Sequence, residues 1–386
     1  MTSSSITTKS EIVNGERFIG GVPVRNIWLL MLYASRLFKE VFKKYDAKKG
    51  SVEENPDDIP DLIAEILAHH VQIRIKRNLN YEYQHQNANL RFVRGNIDFL
   101  YTERHQLLEQ GKIACRYEEF TIDSNRNRYV RTALEKISKL VKSAELVHRC
   151  RSLAMSLRKM GVVGECPDRS AISIDRIGRH QAEDRFMLSA ARLAFDLMLP
   201  TEESGSRDLT MPKKDPGWIR KLYEKGIAGF YQVVLSENGW HVYPGKRIGW
   251  NIEAQTAGID TILPSMVTDI ILDHSQSNRR IIVDTKFNSI LTKGWYRKES
   301  LRSGYLFQIY AYLRSQEVKD NDHSNSLANC ASGLLLHPSI KEMIDESVVI
   351  QGHEIRFVTV NLGGSAKEIR NQLINGVRDK RFPLDE

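Results

Sequence analysis

The sequence predicts an α/β protein in which a mixed sheet is flanked by helices. A domain of helices and antiparallel strands precedes that sheet, so the chain as a whole is α+β. The chain has 386 residues, which is long for a single core and suits two domains. Hydrophobic residues make up 41% and charged residues 27%, as in globular rather than disordered proteins. Segments with helical spacing of apolar residues alternate with short apolar runs, so helices and strands are both expected.

Helices dominate the predicted first half. Apolar residues at helical spacing predict helices over residues 26–44, 58–77, 127–147, 153–160 and 184–199. Aromatic and aliphatic residues mixed with polar ones predict strands within 81–99 and 113–120. We therefore expect a small antiparallel element among the helices of this half.

The predicted second half alternates between helices and strands. Its helices are expected over 218–235, 301–315 and 365–375, and its strands over 239–243, 265–272, 280–288, 332–336 and 355–361. Helices that connect strands allow those strands to run parallel, which predicts a mixed sheet. Ser365 and Glu368, after two glycines, have the spacing of a helix capping box, which we prefer here to a phosphate-binding loop.

A polar segment over residues 202–214, which contains Gly205 and Pro212, marks the predicted domain boundary. We expect a mobile N-terminal extension over residues 1–21, a first domain over 22–200 and a second domain over 201–386.

Composition excludes several classes of protein. The longest apolar run, residues 27–34, is far shorter than the roughly 18 residues that span a bilayer, and the N-terminus lacks the features of a secretory signal. We therefore expect a cytoplasmic protein without membrane contact. The four cysteines are scattered without a C-x-x-C pair, which indicates buried free thiols rather than a zinc site or disulfides. A net charge of +8 weakly favours a polyanionic partner.

Two acidic residues are predicted to meet on one β-hairpin. Residues 266–272 and 280–287 are strand-like and are separated by a short polar turn. If the turn is symmetric about Gln276 and Ser277, Asp269 lies directly opposite Asp284. Side chains opposed in this way have Cβ atoms about 4.5 to 5.5 Å apart, and like charges there are destabilising. A divalent cation, Mg²⁺ or alternatively Mn²⁺, would offset this repulsion, because acidic oxygen ligands suit these ions.

The residues after Asp284 complete a candidate catalytic site. Lys286 falls on the same face of the strand as Asp284. Phosphodiester hydrolysis needs carboxylates to hold a metal ion and a cation to stabilise the transition state. We assign the metal to Asp269, Asp284 and the Thr285 carbonyl, and the cationic role to Lys286. The alternative is a solvated ion pair, since Asp-x-Lys is common by chance, but the flanking apolar runs favour a buried site.

Three further residues are candidates for this site. Glu224, on the helix before the sheet, is a candidate metal ligand, and a plain surface glutamate is an equal alternative. Gln308 and Tyr312 lie four residues apart on one helix and therefore share a face. We predict that this pair flanks the acidic site and contacts DNA or orders the carboxylates.

The order of these motifs resembles a known family. A helix Glu, a strand Asp, Asp-x-Lys and Gln-x-x-x-Tyr together resemble the RecB-like branch of the PD-(D/E)xK nucleases, whose restriction-endonuclease-like fold is the one expected for residues 201–386. More narrowly, the chain resembles the McrC family, the nuclease subunits of McrBC-type modification-dependent restriction systems. The similar segments are 22–27, 31–34, 94–99, Asp123 with Asn127 and Arg128, 263–269, 282–286, 306–313 and 358–363. The chain departs from the family by an N-terminal extension of roughly 20 residues, and Glu224 occupies a family position that is not always acidic.

The resemblance implies a Mg²⁺-dependent endodeoxyribonuclease of a type IV-like system. Such a subunit cuts double-stranded, modified DNA when an McrB-like AAA+ GTPase ring recruits it, and it stimulates that ring through its N-terminal domain, here residues 22–200. We predict that the basic residues between Arg74 and Arg94 form part of this contact, and that the nuclease domain supports homodimerisation. The sequence has no G-x-x-x-x-G-K-[ST] motif, so nucleotide hydrolysis belongs to the partner. The alternatives are a non-cleaving adaptor that activates the GTPase and a stand-alone RecB-like repair nuclease.

Overall fold

A mixed β-sheet with helices packed against it forms the centre of the C-terminal half. The computed structural model describes residues 10–13, 16–19, 21–35, 37, 55–79, 81–168, 171–172, 182–201, 216–292, 299–317, 331–339 and 343–378. The chain forms two compact units, one made of residues 1–59 with 199–386 and the other of residues 60–198. The predicted fold class, a mixed α/β protein with a helix-flanked sheet, is confirmed.

The helices follow the apolar periodicity closely. They are α1 (Val24–Ala34), α2 (Ile59–Lys76), α3 (Phe99–Arg104), α4 (Asn125–Ile137), α5 (Ala144–Lys159), α6 (Ala182–Met198), α7 (Pro216–Val234), α8 (Ser303–Arg314) and α9 (Ala366–Val377). The predicted helix over 127–147 is wrong at its C-terminal end, because Ser143 caps a new helix by accepting a hydrogen bond from Leu146 N–H. No helix among the described residues is long and apolar enough to cross a membrane.

The strands are mostly short. They are β1 (Ser10–Val13), β2 (Glu16–Ile19), β3 (Val22–Pro23), β4 (Glu82–Leu90), β5 (Asn96–Ile97), β6 (Ile113–Thr121), β7 (Trp240–Pro244), β8 (Arg247–Ile248), β9 (Met266–Val267), β10 (Ile270–His274), β11 (Arg279–Thr285), β12 (Leu291–Thr292), β13 (Ser300–Leu301), β14 (Ser332–Ser339), β15 (Asp345–Ile350) and β16 (His353–Asn361). Strands β1 and β2 lie in the segment expected to be a mobile extension, whereas residues 1–9 are outside the described residues.

Six strands in the order β15-β16-β14-β11-β10-β7 form the main sheet. The pairs β11–β14 and β14–β16 are parallel and the other pairs are antiparallel. Helix α8 connects β11 to β14 in sequence, as the parallel pairing requires. Its Ile309 and Leu313 are buried with Ile271, Ile282 and Leu335 of the sheet. The edge strand β15 escaped prediction because its residues are largely exposed and form no long apolar run.

The unit formed by residues 60–198 joins helices to a small sheet in the order β4-β6-β5, which is antiparallel as predicted. Asp123 accepts hydrogen bonds from Arg128 at 2.8 Å and from the Gly164 N–H, and so ties the start of α4 to a distant loop. Arg74, one of the basic residues predicted to contact a partner, lies 3.0 Å from the buried carboxylate of Asp184. That ion pair gives Arg74 a structural role within this unit.

The prediction that the cysteines are buried free thiols is confirmed in part. Cys115 and Cys150 are buried free thiols as expected, but Cys166 is exposed, and Cys330 is outside the described residues.

Helix α1 packs directly on α7, and this contact explains why residues 1–59 belong to the same unit as the C-terminal half. Two glycines of α7 allow the close approach. A Cβ at Gly229 would lie 1.9 Å from the Tyr33 carbonyl oxygen, and one at Gly226 would lie 3.1 Å from the Leu30 carbonyl oxygen. The sequence division placed α1 in the first domain, whereas its packing on α7 places it in the unit that contains residues 199–386.

Asn26 adds a polar connection at the same helix. Its side-chain Nδ2 donates to the carbonyl oxygens of Leu362 and Gly364, at 2.7 and 2.9 Å. These bonds tie α1 to the turn before α9. That turn also carries the predicted capping box, in which Ser365 and Glu368 bond to each other's backbone N–H, and this prediction is confirmed.

The α1–α7 contact can be tested with a single methyl group. Gly229→Ala places Cβ against a backbone carbonyl that cannot rotate away, so the helices must separate. We expect a loss of stability of about 1 to 3 kcal/mol, the usual cost of overpacking. Gly304→Ala is the matched control, because a Cβ there meets nothing within 4 Å. Thermal unfolding followed by circular dichroism should show a lower Tm for Gly229→Ala alone, and equal Tm values would contradict the packing described here.

Candidate active site

The end of the β10–β11 hairpin brings two carboxylates to one place. Ile270 pairs with Val283 and Ile271 with Ile282, so the next pair outward is Asp269 with Asp284. This is the register that the symmetric turn predicts. Asp269 directly precedes β10, and its carbonyl accepts a hydrogen bond from the N–H of Gly245, the residue after β7, at 2.8 Å. The two acids therefore lie on neighbouring strands at the point where β10 begins and β11 ends.

Asp284 is almost completely buried, at 1% exposure. The Lys286 ammonium contacts both oxygens of this carboxylate, donating to Oδ1 at 2.8 Å and lying 2.7 Å from Oδ2. The pKa of Asp284 is raised to about 6, mainly by burial and also by the nearby charges of Asp269 and Glu224, while Lys286 lowers it. Removal of the carboxylate from water therefore outweighs its contact with the lysine.

Thr285 holds the second carboxylate. Asp269 Oδ2 accepts hydrogen bonds from the Thr285 N–H at 2.7 Å and from its hydroxyl at 2.8 Å. Within the described part of the chain no group donates to Oδ1, which leaves that oxygen for another ligand. Thr285 therefore contacts the site through its N–H and hydroxyl, atoms that the sequence did not single out. The role assigned to its carbonyl stays a prediction.

Glu224 belongs to the electrostatic environment of these acids. It is half-buried on α7. Burial raises its pKa most, and repulsion from Asp269 raises it as well. The positive charges of Arg220, Lys225 and Lys286 lower it. A surface glutamate far from the hairpin would not be influenced by Asp269. The structure thus brings Glu224 into the region of the site, and its role as a metal ligand stays a prediction.

Gln308 and Tyr312 are linked to each other and to the sheet. Gln308 Nε2 donates to the Tyr312 hydroxyl at 2.7 Å, and that hydroxyl donates to the Val267 carbonyl at 3.0 Å. Burial raises the pKa of Tyr312; the Gln308 hydrogen bond opposes this, and the charges of Asp284 and Asp269 add to it. The pair therefore fixes α8 to the strand that leads into Asp269, beside the carboxylates.

Three neighbours of Lys286 were missed in the sequence. The Lys286 ammonium lies 5.2 Å from the ring centroid of Tyr305, the Tyr305 hydroxyl is hydrogen-bonded to Asn288, and the ring of His337 stacks at an angle on Tyr305. Tyr305 had a usable signal, since it precedes Gln308 by three residues and Tyr312 by seven and therefore shares their helix face. His337 had none, because it lies on a strand distant in the sequence.

Among the residues that the structure describes, no three His, Cys, Asp or Glu side chains are arranged as a complete metal-ligand set. The site consists of two carboxylates on adjoining strands, with the lysine in contact with one of them and Thr285 bonded to the other. All the protein atoms it offers to a cation are oxygens.

Comparison with known proteins agrees with the resemblance found in the sequence. The model of the family described as McrBC 5-methylcytosine restriction system component matches residues 5–188. The type IV methyl-directed restriction enzyme EcoKMcrBC of Escherichia coli strain K12 is 23% identical over 357 residues, which cover 92% of this chain and 97% of that protein. The second match spans the candidate site as well as the N-terminal half.

Two solved structures from Thermococcus gammatolerans are also similar. One is a half-complex from a tetradecameric assembly of McrB AAA+ hexamers with bound McrC, with a TM-score of 0.40 and 15% identity over 92% of this chain and 76% of that chain. The other is the McrBC complex determined by cryo-EM, with a TM-score of 0.29 and 16% identity over 45% of this chain and 50% of that chain. Both TM-scores lie below 0.5, so the similarity rests on the sequence matches. Residues 5–188 match the family of McrBC 5-methylcytosine restriction system components, and the chain is similar over most of its length to a curated member of such a system, which is the resemblance that its motifs indicated.

Proposed function

We propose that this chain is the Mg²⁺-dependent DNA endonuclease subunit of an McrBC-type restriction system. The observation that carries the proposal is the position of Asp269 and Asp284 directly beyond the last paired residues of one hairpin, with Lys286 in contact with the buried carboxylate. A purely structural ion pair would need one acid and one base. Here a second acid adds repulsion, which a stable fold accepts where a cation or a reaction requires it.

The donor set fits a magnesium ion. Mg²⁺ prefers oxygen ligands and is commonly held by one or two carboxylates, with water and substrate phosphate as the remaining ligands. Asp269 Oδ1 receives no hydrogen bond from the described residues, and the Asp284 carboxylate is buried with the Lys286 ammonium in contact with it. Asp269, Asp284 and the Thr285 carbonyl would hold the ion, and Glu224 is close enough to influence it. The ion would supply Lewis acidity and lower the pKa of a bound water.

The remaining residues would orient the carboxylates and stabilise the transition state. Thr285 fixes the direction of the Asp269 carboxylate through two hydrogen bonds. Lys286 would stabilise the negative charge that develops on the phosphate in the transition state, a contribution that is large in a water-poor site. Tyr312 and Gln308 would keep α8 at a fixed distance from the acids and border the DNA backbone. Each role uses a group that the fold already holds in place.

The partner is inferred from the family. The curated relative is named as a methyl-directed restriction enzyme, and one similar structure contains McrB AAA+ hexamers with bound McrC. This chain has no P-loop motif of its own. We infer that it acts on modified double-stranded DNA with an McrB-like GTPase ring, which it stimulates. The basic stretch between Arg74 and Arg94 and homodimerisation through the nuclease domain remain part of this proposal.

Metal binding can be tested by protein stability, without measuring DNA cleavage. Because the pKa of Asp284 in the folded protein is about 6, above the usual value of 3.8, its ionisation destabilises the fold as the pH rises between these two values. Asp284→Asn cannot ionise. With chelator present, the variant should be more stable than the wild type at pH 8, by on the order of 2 kcal/mol, and the difference should shrink as the pH falls toward 4.

Urea unfolding at several pH values measures this difference. Added Mg²⁺ should then stabilise the wild type and leave Asp284→Asn unchanged, whereas Asp260→Asn, at an exposed aspartate, should respond like the wild type. An equal Mg²⁺ response from Asp284→Asn and the wild type would exclude Asp284 as a ligand.

Cleavage tests the enzymatic role. Asp284→Ala and Lys286→Ala should each lower the rate of cutting methylated DNA, measured with the GTPase partner present, by about 100-fold or more, since each removes charge stabilisation from the transition state. Lys367→Ala, at an exposed helix position, is the matched control and should cut normally. Assembly with the partner and its GTP turnover should persist in all three variants.

The outcomes separate the alternatives. Normal cutting by Asp284→Ala or Lys286→Ala would reject the site. Equal GTPase stimulation by wild type and variants, with no cleavage by any of them, would identify a non-cleaving adaptor. Cleavage by the chain without any partner would identify a stand-alone nuclease.

A further inference from the structure

Three side chains from separate parts of the sheet domain form a connected group beside Lys286. Tyr305 lies in the first turn of α8, Asn288 follows β11, and His337 lies near the end of β14. Thr285 pairs with Leu336, and the Lys286 N–H donates to the Leu336 carbonyl at 2.9 Å, so the next pair in this parallel ladder is Lys286 with His337. Lysine and histidine are therefore neighbours across two strands and share a face of the sheet.

Tyr305 attracts the lysine by a contact that uses no carboxylate. The ammonium lies 5.2 Å from the centroid of the Tyr305 ring, within the range of a cation–π interaction. The ring is not free to turn away, because its hydroxyl is hydrogen-bonded to the Asn288 side chain. Asn288 thus fixes the aromatic face that Lys286 contacts.

His337 locks the same loop from the other side. It is 1% exposed, and its Nδ1 donates to the Asn288 carbonyl at 3.0 Å. The carbonyl can only accept, so Nδ1 carries the proton. The His337 ring also lies 5.8 Å, between centroids, from Tyr305. Asn288 is therefore held by its backbone to His337 and by its side chain to Tyr305.

The histidine adds no charge beside the lysine. Burial lowers the pKa of His337 to about 4; the backbone hydrogen bond to Asn288 opposes the shift, and the positive charges of Lys286 and Arg302 contribute to it. The ring is neutral near pH 7, so it packs beside the ammonium without repelling it.

We propose that Tyr305, Asn288 and His337 are positioning residues that hold the Lys286 ammonium at the acidic site. This inference rests on the proposed nuclease function, in which the position of Lys286 matters for the transition state. A divalent cation and the ammonium would compete for the oxygens of Asp284. The face of Tyr305 also attracts the ammonium, and a metal ion bound by carboxylate oxygens does not compete for that face. Lysine has a long and flexible side chain, so its placement needs such support.

Lysine reactivity tests the contact without any cleavage. Competitive labelling of the metal-free protein with acetic anhydride, quantified by peptide mass spectrometry, reports how strongly the neighbours of each lysine keep its amine from the reagent. Tyr305→Leu should raise the labelling rate of Lys286 about threefold or more, whereas Tyr305→Phe keeps the aromatic face but loses the bond to Asn288, so it should raise the rate by less, as Asn288→Ala does. Lys246, which lies 4.8 Å from the Tyr243 ring, is the internal control and should react equally in all variants.

Two more substitutions test the supporting residues. Asn288→Ala removes the bond that fixes the Tyr305 ring, while the backbone carbonyl that binds His337 remains, so it should increase Lys286 labelling by less than Tyr305→Leu does. His337→Leu removes the donor to that carbonyl, and His337→Asn retains a donor of similar reach. We expect the leucine variant to behave like Asn288→Ala and the asparagine variant to behave like the wild type. These milder changes carry the test if Tyr305→Leu does not fold.

Kinetics with the partner and methylated DNA give the second readout. Tyr305→Leu should lower kcat about tenfold or more and change the KM for DNA less than twofold, because the lysine acts in the transition state rather than in binding. Tyr305→Phe keeps the aromatic face without the bond to Asn288, so it should lower kcat by less than Tyr305→Leu does and keep the KM for DNA within about twofold of the wild type.

The two proposals fail differently. Unchanged labelling of Lys286 in both Tyr305→Leu and Asn288→Ala would overturn the positioning role, whatever the protein cleaves. A fall in kcat without a change in labelling would also overturn it. Increased labelling in a protein whose wild type cuts no DNA would support the positioning residues and overturn the proposed nuclease.

Discussion

The C-terminal half of this protein is organised around a buried charge. Asp284 lies near the end of a strand in which the three preceding residues, 281–283, are apolar and almost fully removed from water, and its nearest charged partners are one lysine and another acid. Isolated carboxylates are strongly disfavoured in such surroundings. The lysine two residues later, directly after the strand, reduces this cost, and its contact with both Asp284 oxygens is the interaction on which the rest of the site depends. The surrounding sheet keeps water out and so gives that interaction its strength.

The apolar packing around the site serves this constraint. Helix α8 lies close to β14 because Gly333 has no side chain, and a Cβ there would be 2.9 Å from Ile309. This close approach seats Tyr312 and Tyr305 of the same helix near the carboxylates and the lysine. Tyr312 is tied to the strand before Asp269, and Tyr305 is tied to the loop after Lys286. One helix is therefore bonded to the segment before Asp269 and to the loop after Lys286, and its position sets the distance between these two parts of the site.

The first residues of the chain also contribute to this domain. Helix α1 packs against α7, which carries Glu224, and Asn26 is bonded to the turn before α9. The N-terminal segment is thus a structural part of the domain that holds the candidate site. The unit formed by residues 60–198 has its own core of helices and a small antiparallel sheet. A linear division of the chain into a partner-binding half and a nuclease half does not describe this packing.

The sequence by itself determined the elements and the register of the acidic hairpin. Apolar periodicity located the main helices and most strands, and a symmetric polar turn was enough to set Asp269 opposite Asp284, because a hairpin register follows from the turn that closes it. The period of two then put Lys286 on the face of Asp284. Only the tertiary structure decided that Thr285 binds Asp269 through its N–H and hydroxyl, that α1 packs on α7, and that His337 lies beside Lys286. His337 and Asn288 are 49 residues apart in sequence. Periodicity shows which face of its own element a residue occupies, but the neighbour it meets across that face is fixed only when distant elements pack together.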